Sequence, residues 1–291
     1  MAAEIATYEL AFNRTRNARA ARTLIEFATF SPRALSELRS ELATAEMRSG
    51  HDRKARELFH QSFSDPTENA VAQAVSWAER SSLVLDPSLL DRDRVYEARA
   101  LDSARLGNWA AATAEASAWH RDQPFSAEPF QFASYTAALG SGDYEHALNI
   151  ATSGLEIHRS DRTLRNNAAY ALANLGRTAE ARLHLVEPVE HSSVEDLTEW
   201  ATMGLINYRE GRATEGEFYY QTAVAGFTRL KREDLAAIAT IHWDIEQTRS
   251  GRKPLDQLVR RLQRVFPRVP TAERGALAQR AIQILETTRP A

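Results

Sequence analysis

Four glycines constrain this chain more than any other feature of its 291 residues. Gly107, Gly142, Gly176 and Gly211 each follow a run of helix-forming residues and precede a run rich in small ones. They recur at intervals of 35, 34 and 35 residues. A glycine in that position permits the left-handed backbone that ends one helix and turns the chain into the next. Around Gly176, Ala168, Ala169, Ala173, Ala179 and Ala181 fall at helical spacing on both sides of the turn. Small side chains there let two helix backbones approach closely. A helix–turn–helix unit of about 34 residues cannot bury its apolar face alone, so such units must stack. No strand-like alternation bounded by turns interrupts the pattern. The expected fold is all-α.

The repeats resemble those of the tetratricopeptide repeat family. "GDYEHA" supplies Gly142, Tyr144 and Ala147 in the order of the family's turn glycine, aromatic and alanine. "GNWAAA" supplies Gly107, Trp109 and Ala112, and its unit closes at Pro124. "EWATMGLINYREG" sets Trp200, Met203, Gly204 and Gly211 where the family has tryptophan, leucine, glycine and the turn glycine, and Gly216, Tyr220 and Ala223 follow in the second helix. Weaker units surround Gly50, with Ala55, Phe59 and Pro66, and Gly251, whose 40-residue step from Gly211 suits longer helices. The resemblance implies a right-handed α-α superhelix of helical hairpins with capping helices. It divides the chain into an N-terminal capping region (1–34), a repeat array (35–267, strongest over 92–227) and a C-terminal capping helix (268–291).

Local signals add further expectations. "DPTENAVAQAVSWAERS" reads as a lone helix with Asp65 as N-cap, Pro66 at the first helical position and Glu68 closing a capping box. Pro188 predicts a helix end near Glu187. "TAERGALAQRAIQILETT" reads as the terminal cap, with Thr271 as N-cap and Leu277, Ala281, Ile282 and Leu285 on its apolar side. Near the start, Tyr8, Phe12 and Leu24 to Phe30 are available for packing in another helix.

Composition narrows function mainly by exclusion. Without cysteine there is no disulfide, thiolate metal site or cysteine nucleophile. A net charge of −3 supplies no global attraction to nucleic acid or anionic membrane. No apolar run reaches the ~18 residues of a membrane span, so a cytoplasmic location is expected. Lysine occurs only at Lys54, Lys231 and Lys253, an arginine bias expected of a GC-rich bacterial genome. The eight histidines show no His-x-x-x-His spacing, and no nucleophile elbow, phosphate loop or dinucleotide fingerprint is present. A non-catalytic chain without cofactor or metal is the expectation.

The resemblance further implies that the first helix of each unit lines a concave groove that receives a protein or peptide segment. Phe132, Asn166, Tyr170, Asn174, Leu205, Tyr208 and Arg209 fall at groove positions, and tyrosine beside amides suits recognition. The subfamily that clamps a chaperone's terminal carboxylate is disfavoured: Asn167 is in place, but Phe132, Thr136, Thr198 and Thr202 replace its other positions. A second surface lies in "RSGRKPLDQLVRRLQRVFPR", where Arg260, Arg261, Arg264 and Arg268 form a positive face suited to an acidic partner segment. Nucleic acid is not expected there. The leading expectation is a protein-binding scaffold or adaptor. An accessory subunit of a nuclease- or toxin-like catalytic module and a self-associating assembly protein remain as alternatives.

Overall fold

The computed structural model describes residues 18–27, 30–81, 83–185 and 193–287, and among them every regular element is helical. Two compact units divide the chain, Met1–Arg105 and Leu106–Ala291, so the boundary falls inside the repeat region read from the sequence.

The first unit holds α1 (Ala18–Phe27), α2 (Pro32–Arg48), α3 (Asp52–Ser62), α4 (Glu68–Ser81) and α5 (Tyr96–Arg105). Gly50 turns α2 into α3 with φ of 77°. Leu38, Leu42, Ala55 and Phe59 interlock at the seam of that pair, each at most 1% exposed. The helix expected to stand alone, α4, packs instead on α2, α3 and α5. Its start also differs from expectation. Thr67 is the N-cap, its Oγ1 accepting from Ala70 N at 3.3 Å. Asp65 is occupied elsewhere, facing Arg92 at 3.5 Å and Arg33 at 3.6 Å. Glu46, only 4% exposed, ties α1 to α2 and α3 by contacting Arg22, His51 (2.8 Å) and Lys54 (3.1 Å). Burial alone raises its carboxyl, but these three cationic or donor groups outweigh burial and hold it at about 2. Tyr8 and Phe12 lie outside the described residues, as do the side chains of Leu24 and Phe27.

The second unit contains α6 (Trp109–Asp122), α7 (Glu128–Tyr135), α8 (Tyr144–Ile157), α9 (Arg162–Asn174), α10 (Thr178–His184), α11 (Val194–Arg209), α12 (Ala213–Arg229), α13 (Glu233–Arg249), α14 (Leu255–Val265) and α15 (Thr271–Thr287). The pairs α7/α8, α9/α10, α11/α12 and α13/α14 are helical hairpins, and Gly142, Gly176, Gly211 and Gly251 turn them with φ between 69° and 80°. At Gly176 the Arg177 N–H reaches back to Leu172 O at 2.9 Å, which satisfies a carbonyl the helix end would otherwise orphan. Helix α10 stops at His184, three residues short of the expected end, and Leu185 is already extended. Pro188 and His191 themselves lie outside the described residues.

Close approach within the hairpins is built reciprocally. A Cβ on Gly204 of α11 would lie 2.7 Å from the Tyr220 ring, and one on Gly216 of α12 would lie 2.5 Å from the Tyr208 ring. Each helix thus offers a glycine as the hole for its neighbour's tyrosine. The first helices also touch in sequence, α7 on α9, α9 on α11 and α11 on α13. This row positions the site.

Helix α15 does more than cover the end of the chain. It packs on α13 and also on the end of α7, so Leu277 and Ala281 share one apolar cluster with Leu139 and Ile241. Among its described side chains, Ala276, Leu277 and Ala281 are buried, whereas Ile282 is 49% exposed. The side chains of residues 284–287, Leu285 of the expected apolar side among them, lie outside the described residues. Its first bond, from Arg274 N, runs to Pro270 O, so Pro270 occupies the capping position expected for Thr271.

Candidate functional site

The row α7–α9–α11–α13 carries small and polar residues around a cavity to which Tyr220 and Phe227 of the second helix α12 also contribute. Ala138, Thr198, Ala201 and Ala239 leave room between them, and a cavity of about 190 Å³ results. Its apolar walls include Leu139, Phe227, Leu235 and Ile238, while Asn166, Asn167, Tyr170, Thr198, Thr202 and His242 bring polar groups to it. Asn167 is fixed by its own donors, with Nδ2 bonded to Ser134 Oγ at 2.9 Å and Gln131 O at 3.1 Å. Asn166 is 7% exposed, and its Oδ1 has no hydrogen-bond partner among the described residues. An unpaired buried carbonyl costs about 1–3 kcal/mol, so this amide is an unfilled acceptor in the cavity wall.

The adjoining part of the row is electrostatically unusual. Arg280 of α15 enters between the Tyr144 and Tyr170 rings, its guanidinium carbon 5.6 and 5.8 Å from their centroids. It donates to Leu139 O at 3.0 Å, and also to Ala138 O and the Tyr170 hydroxyl. The carbonyls are available because α7 ends in a wider π-type turn over Thr136–Ser141, where Asp143 N bonds back to Ala137 O. Orphaned carbonyls at a helix C-terminus attract a cation. On the same helix, Glu273 accepts from the Tyr135 hydroxyl at 3.0 Å. Burial pushes the Tyr135 phenol up, and the Glu273 charge pushes it further, so it remains a donor. His242 lies edge-on to Tyr170 with ring centres 5.9 Å apart. Burial, helped by the charges of Arg280 and Arg209, pushes its imidazole down to about 3, and it is neutral at ordinary pH. Arg209 pairs with Glu246 at 2.9 Å; burial raises that carboxyl to about 7 despite the arginine beside it.

The sequence-predicted groove residues therefore separate into three groups. Asn166 and Tyr170 line the cavity. Asn174 and Arg209 are joined to each other at 3.4 Å, Asn174 also donating to Tyr170 O, so both serve the framework around it. Leu205 and Tyr208, 3% and 6% exposed, lie in the core: Tyr208 is packed on Gly216, and its hydroxyl accepts from Trp243 Nε1 at 3.1 Å. Phe132 is half-buried on α7 and does not line the cavity. On the basic face, Arg260 pairs with Asp256, Arg261 with Asp244 at 3.3 Å and Arg268 with Glu233 at 3.4 Å, while Arg264 is exposed. Most of that positive charge is locally answered.

Sequence reasoning missed Tyr135, Leu235, Ile238, His242 and above all Arg280. One signal for Arg280 was present. It is a charged residue set between Leu277 and Ala281 on the side of the helix read as apolar. Elsewhere in the second unit, a cleft of about 450 Å³ between α6 and α8 has His120 lying 4.0 Å from Phe130 by ring centres. Among the described residues no group of three or more His, Cys, Asp or Glu is placed to hold a metal ion, and no helix is long and apolar enough to cross a membrane. Compared with known proteins, the sequence matches no family model and no curated protein.

Proposed function

We propose that this chain is a non-catalytic scaffold of the cytoplasm. In this reading the row of first helices is the groove of a tetratricopeptide-like superhelix, and it binds a segment of another protein. The observation that supports it is the cavity in that row, about 190 Å³ with apolar walls and an unfilled amide carbonyl on Asn166. A cavity of about 150 Å³ holds a benzene ring, so this volume suits one aromatic or branched aliphatic side chain of a partner. Filling it removes about 2–3 kcal/mol worth of apolar surface from water, a factor of about 30–150 in affinity. A backbone N–H beside that anchor would satisfy Asn166 Oδ1. The packing of α15 on α13 and on the end of α7 is in keeping with this reading, since elements of the row receive a helix of this chain.

Ala201 lies half-buried in the cavity wall, on α11. Ala201→Glu places a carboxylate where an apolar anchor would sit, and an unpaired buried charge opposes binding strongly. Affinity capture from the source cells, quantified by mass spectrometry, compares the native chain with Ala201→Glu and with the surface control Arg264→Glu. Circular dichroism melting confirms that each variant is folded. The expected result is a partner retained by the native chain and the control, and depleted at least tenfold by Ala201→Glu. Equal recovery by all three would place binding elsewhere and refute the groove reading.

A further inference from the structure

We propose that the cavity of the row is a binding site for a small, uncharged, single-ring heterocycle that carries an N–H donor beside a carbonyl acceptor, the class to which pyridones and pyrimidinones belong. This goes beyond the scaffold reading, since it concerns a free small molecule and requires no partner protein. Such a ligand and a partner's anchor are alternative occupants of one space.

Three polar side chains, from α9, α12 and α13, meet at the cavity without a hydrogen bond among the described residues. Asn166 is 7% exposed, and its Oδ1 is unpaired. Tyr220 is 2% exposed with an unpaired hydroxyl, and burial pushes that phenol up, so it keeps its proton. His242 meets Tyr170 edge-on, but its ring nitrogens bond to nothing. The other polar groups of the wall are satisfied. Asn167 spends its amide hydrogens on Ser134 Oγ and Gln131 O, Thr198 donates to Val194 O at 2.8 Å, Thr202 donates to Thr198 O at 3.2 Å, and Tyr135 donates to Glu273. Buried polar groups are nearly always paired, so exceptions gathered at one cavity mark the place of a ligand's own donors and acceptors. Asn166 offers an acceptor and donors, and a neutral imidazole and a phenol each offer both as well. An ammonium, which only donates, or a carboxylate, which only accepts, leaves part of this set unpaired. An N–H beside a C=O answers both kinds.

Charge is excluded on separate grounds. Next to the cavity, Arg280 lies against carbonyls and the Tyr144 and Tyr170 rings, with no carboxylate paired to it among the described residues, and its field opposes a cation. Yet Arg280 does not line the cavity, so an anion would shed its water there with no charged donor in contact. The volume sets the size. About 190 Å³ is available, and a cavity of about 150 Å³ holds benzene, which leaves room for one ring with an exocyclic oxygen. A planar ring covers apolar walls with its faces and presents its polar atoms at the edge. Water in the same space would wet Phe227, Leu235 and Ile238.

The test uses the purified full chain. 2-Pyridone, uracil and toluene are titrated against the native protein, Asn166→Leu and Tyr220→Phe by calorimetry and ligand-observed NMR. Each substitution nearly preserves shape and removes an unpaired polar group, so neither melting temperature should fall. The heterocycles are expected to bind the native chain with a dissociation constant of about 1 mM or tighter, and toluene about tenfold more weakly or worse. Asn166→Leu should weaken the heterocycles about tenfold or more and Tyr220→Phe about threefold or more, with no loss of toluene binding in either. Binding of neither heterocycle to the native chain would overturn the proposal. Toluene binding as tightly as the heterocycles, or unchanged heterocycle binding by a folded Asn166→Leu chain, would overturn it equally. If Asn166→Leu does not fold, unchanged heterocycle binding by Tyr220→Phe has the same force. None of these measurements includes a cellular partner, so partner loss in Ala201→Glu is decided separately.

Discussion

Replacing Gly216 by alanine adds one methyl group at the closest approach between α11 and α12. The new Cβ would lie 2.5 Å from Tyr208 Cδ2 and 3.0 Å from the backbone oxygen of Gly204. The second contact cannot be relieved by a side-chain rotation. Tyr208 has little freedom either, since it is 6% exposed and its hydroxyl is held by Trp243. Overpacking of this kind costs about 1–3 kcal/mol. Displacing the tyrosine adds about 1 kcal/mol for the strained hydrogen bond, and the better helix propensity of alanine returns about 1 kcal/mol. The net destabilisation is about 1–3 kcal/mol, which for a unit of this size lowers the melting temperature by about 2–12 °C. Gly275→Ala is the matched control. It makes the same chemical change in a helix interior where nothing lies within 4 Å of the new methyl, so its melting temperature should not fall, and α15 exchange should slow about fivefold. Thermal melts followed by near-ultraviolet tyrosine and tryptophan signals would measure both variants. A Gly216→Ala protein melting at or above the native temperature would refute the close-approach argument.

Three further outcomes are expected. Glu46, held at about 2 in the fold against 4.5 for a free glutamate, contributes stability that is complete above pH 4.5 and lost as pH falls toward 2, up to about 3 kcal/mol. Urea midpoints of the native chain should therefore fall over that window, and Glu46→Gln should be weaker at neutral pH and flatter in acid. His242, pushed down to about 3, binds its proton more readily when unfolded, so it disfavours folding progressively as pH drops below 6.5. Its imidazole resonances should not titrate between pH 5 and 8, and an ordinary midpoint there would contradict its burial between Tyr170 and two arginines. Ser193 and Asp196 close a reciprocal capping box on α11, with bonds of 3.0 and 2.9 Å. Ser193→Ala should cost about 1 kcal/mol in urea denaturation, and no loss would mean that the helix end is held by the Arg162 contacts to Asp196 and Glu199 instead.

What could be read locally was read well, because its causes are local. The positive φ at Gly142, Gly176 and Gly211 follows from a backbone reversal that a side chain would strain. Of the five alanines flanking Gly176, Ala168, Ala169, Ala173 and Ala181 are at 0% exposure, as expected where helices meet, whereas Ala179, early in α10, is exposed and serves no close approach. The missed caps show how short the reach of local reasoning is. Asp65 and Thr67 are both competent N-caps, and the choice of Thr67 leaves Asp65 facing Arg33 and Arg92, residues distant in the chain.

By itself, the sequence determined the helical class, the turn positions and the close packing within hairpins, since each depends on residues a few positions apart. Only the tertiary structure decided which side of a first helix faces the cavity. Helix α11 is packed against α9, α12 and α13, so its residues from Thr202 to Tyr208 are buried all round and carry no periodicity that separates groove from core. That is why Tyr208 reads as a surface anchor in the chain and is a core residue in the fold, while Tyr170 does line the site. The place of Arg280 is decided the same way. Its receptor is assembled from residues 138, 139, 144 and 170, more than a hundred positions upstream, and only the fold-back of α15 across the row brings a buried cation to carbonyls that the end of α7 leaves open.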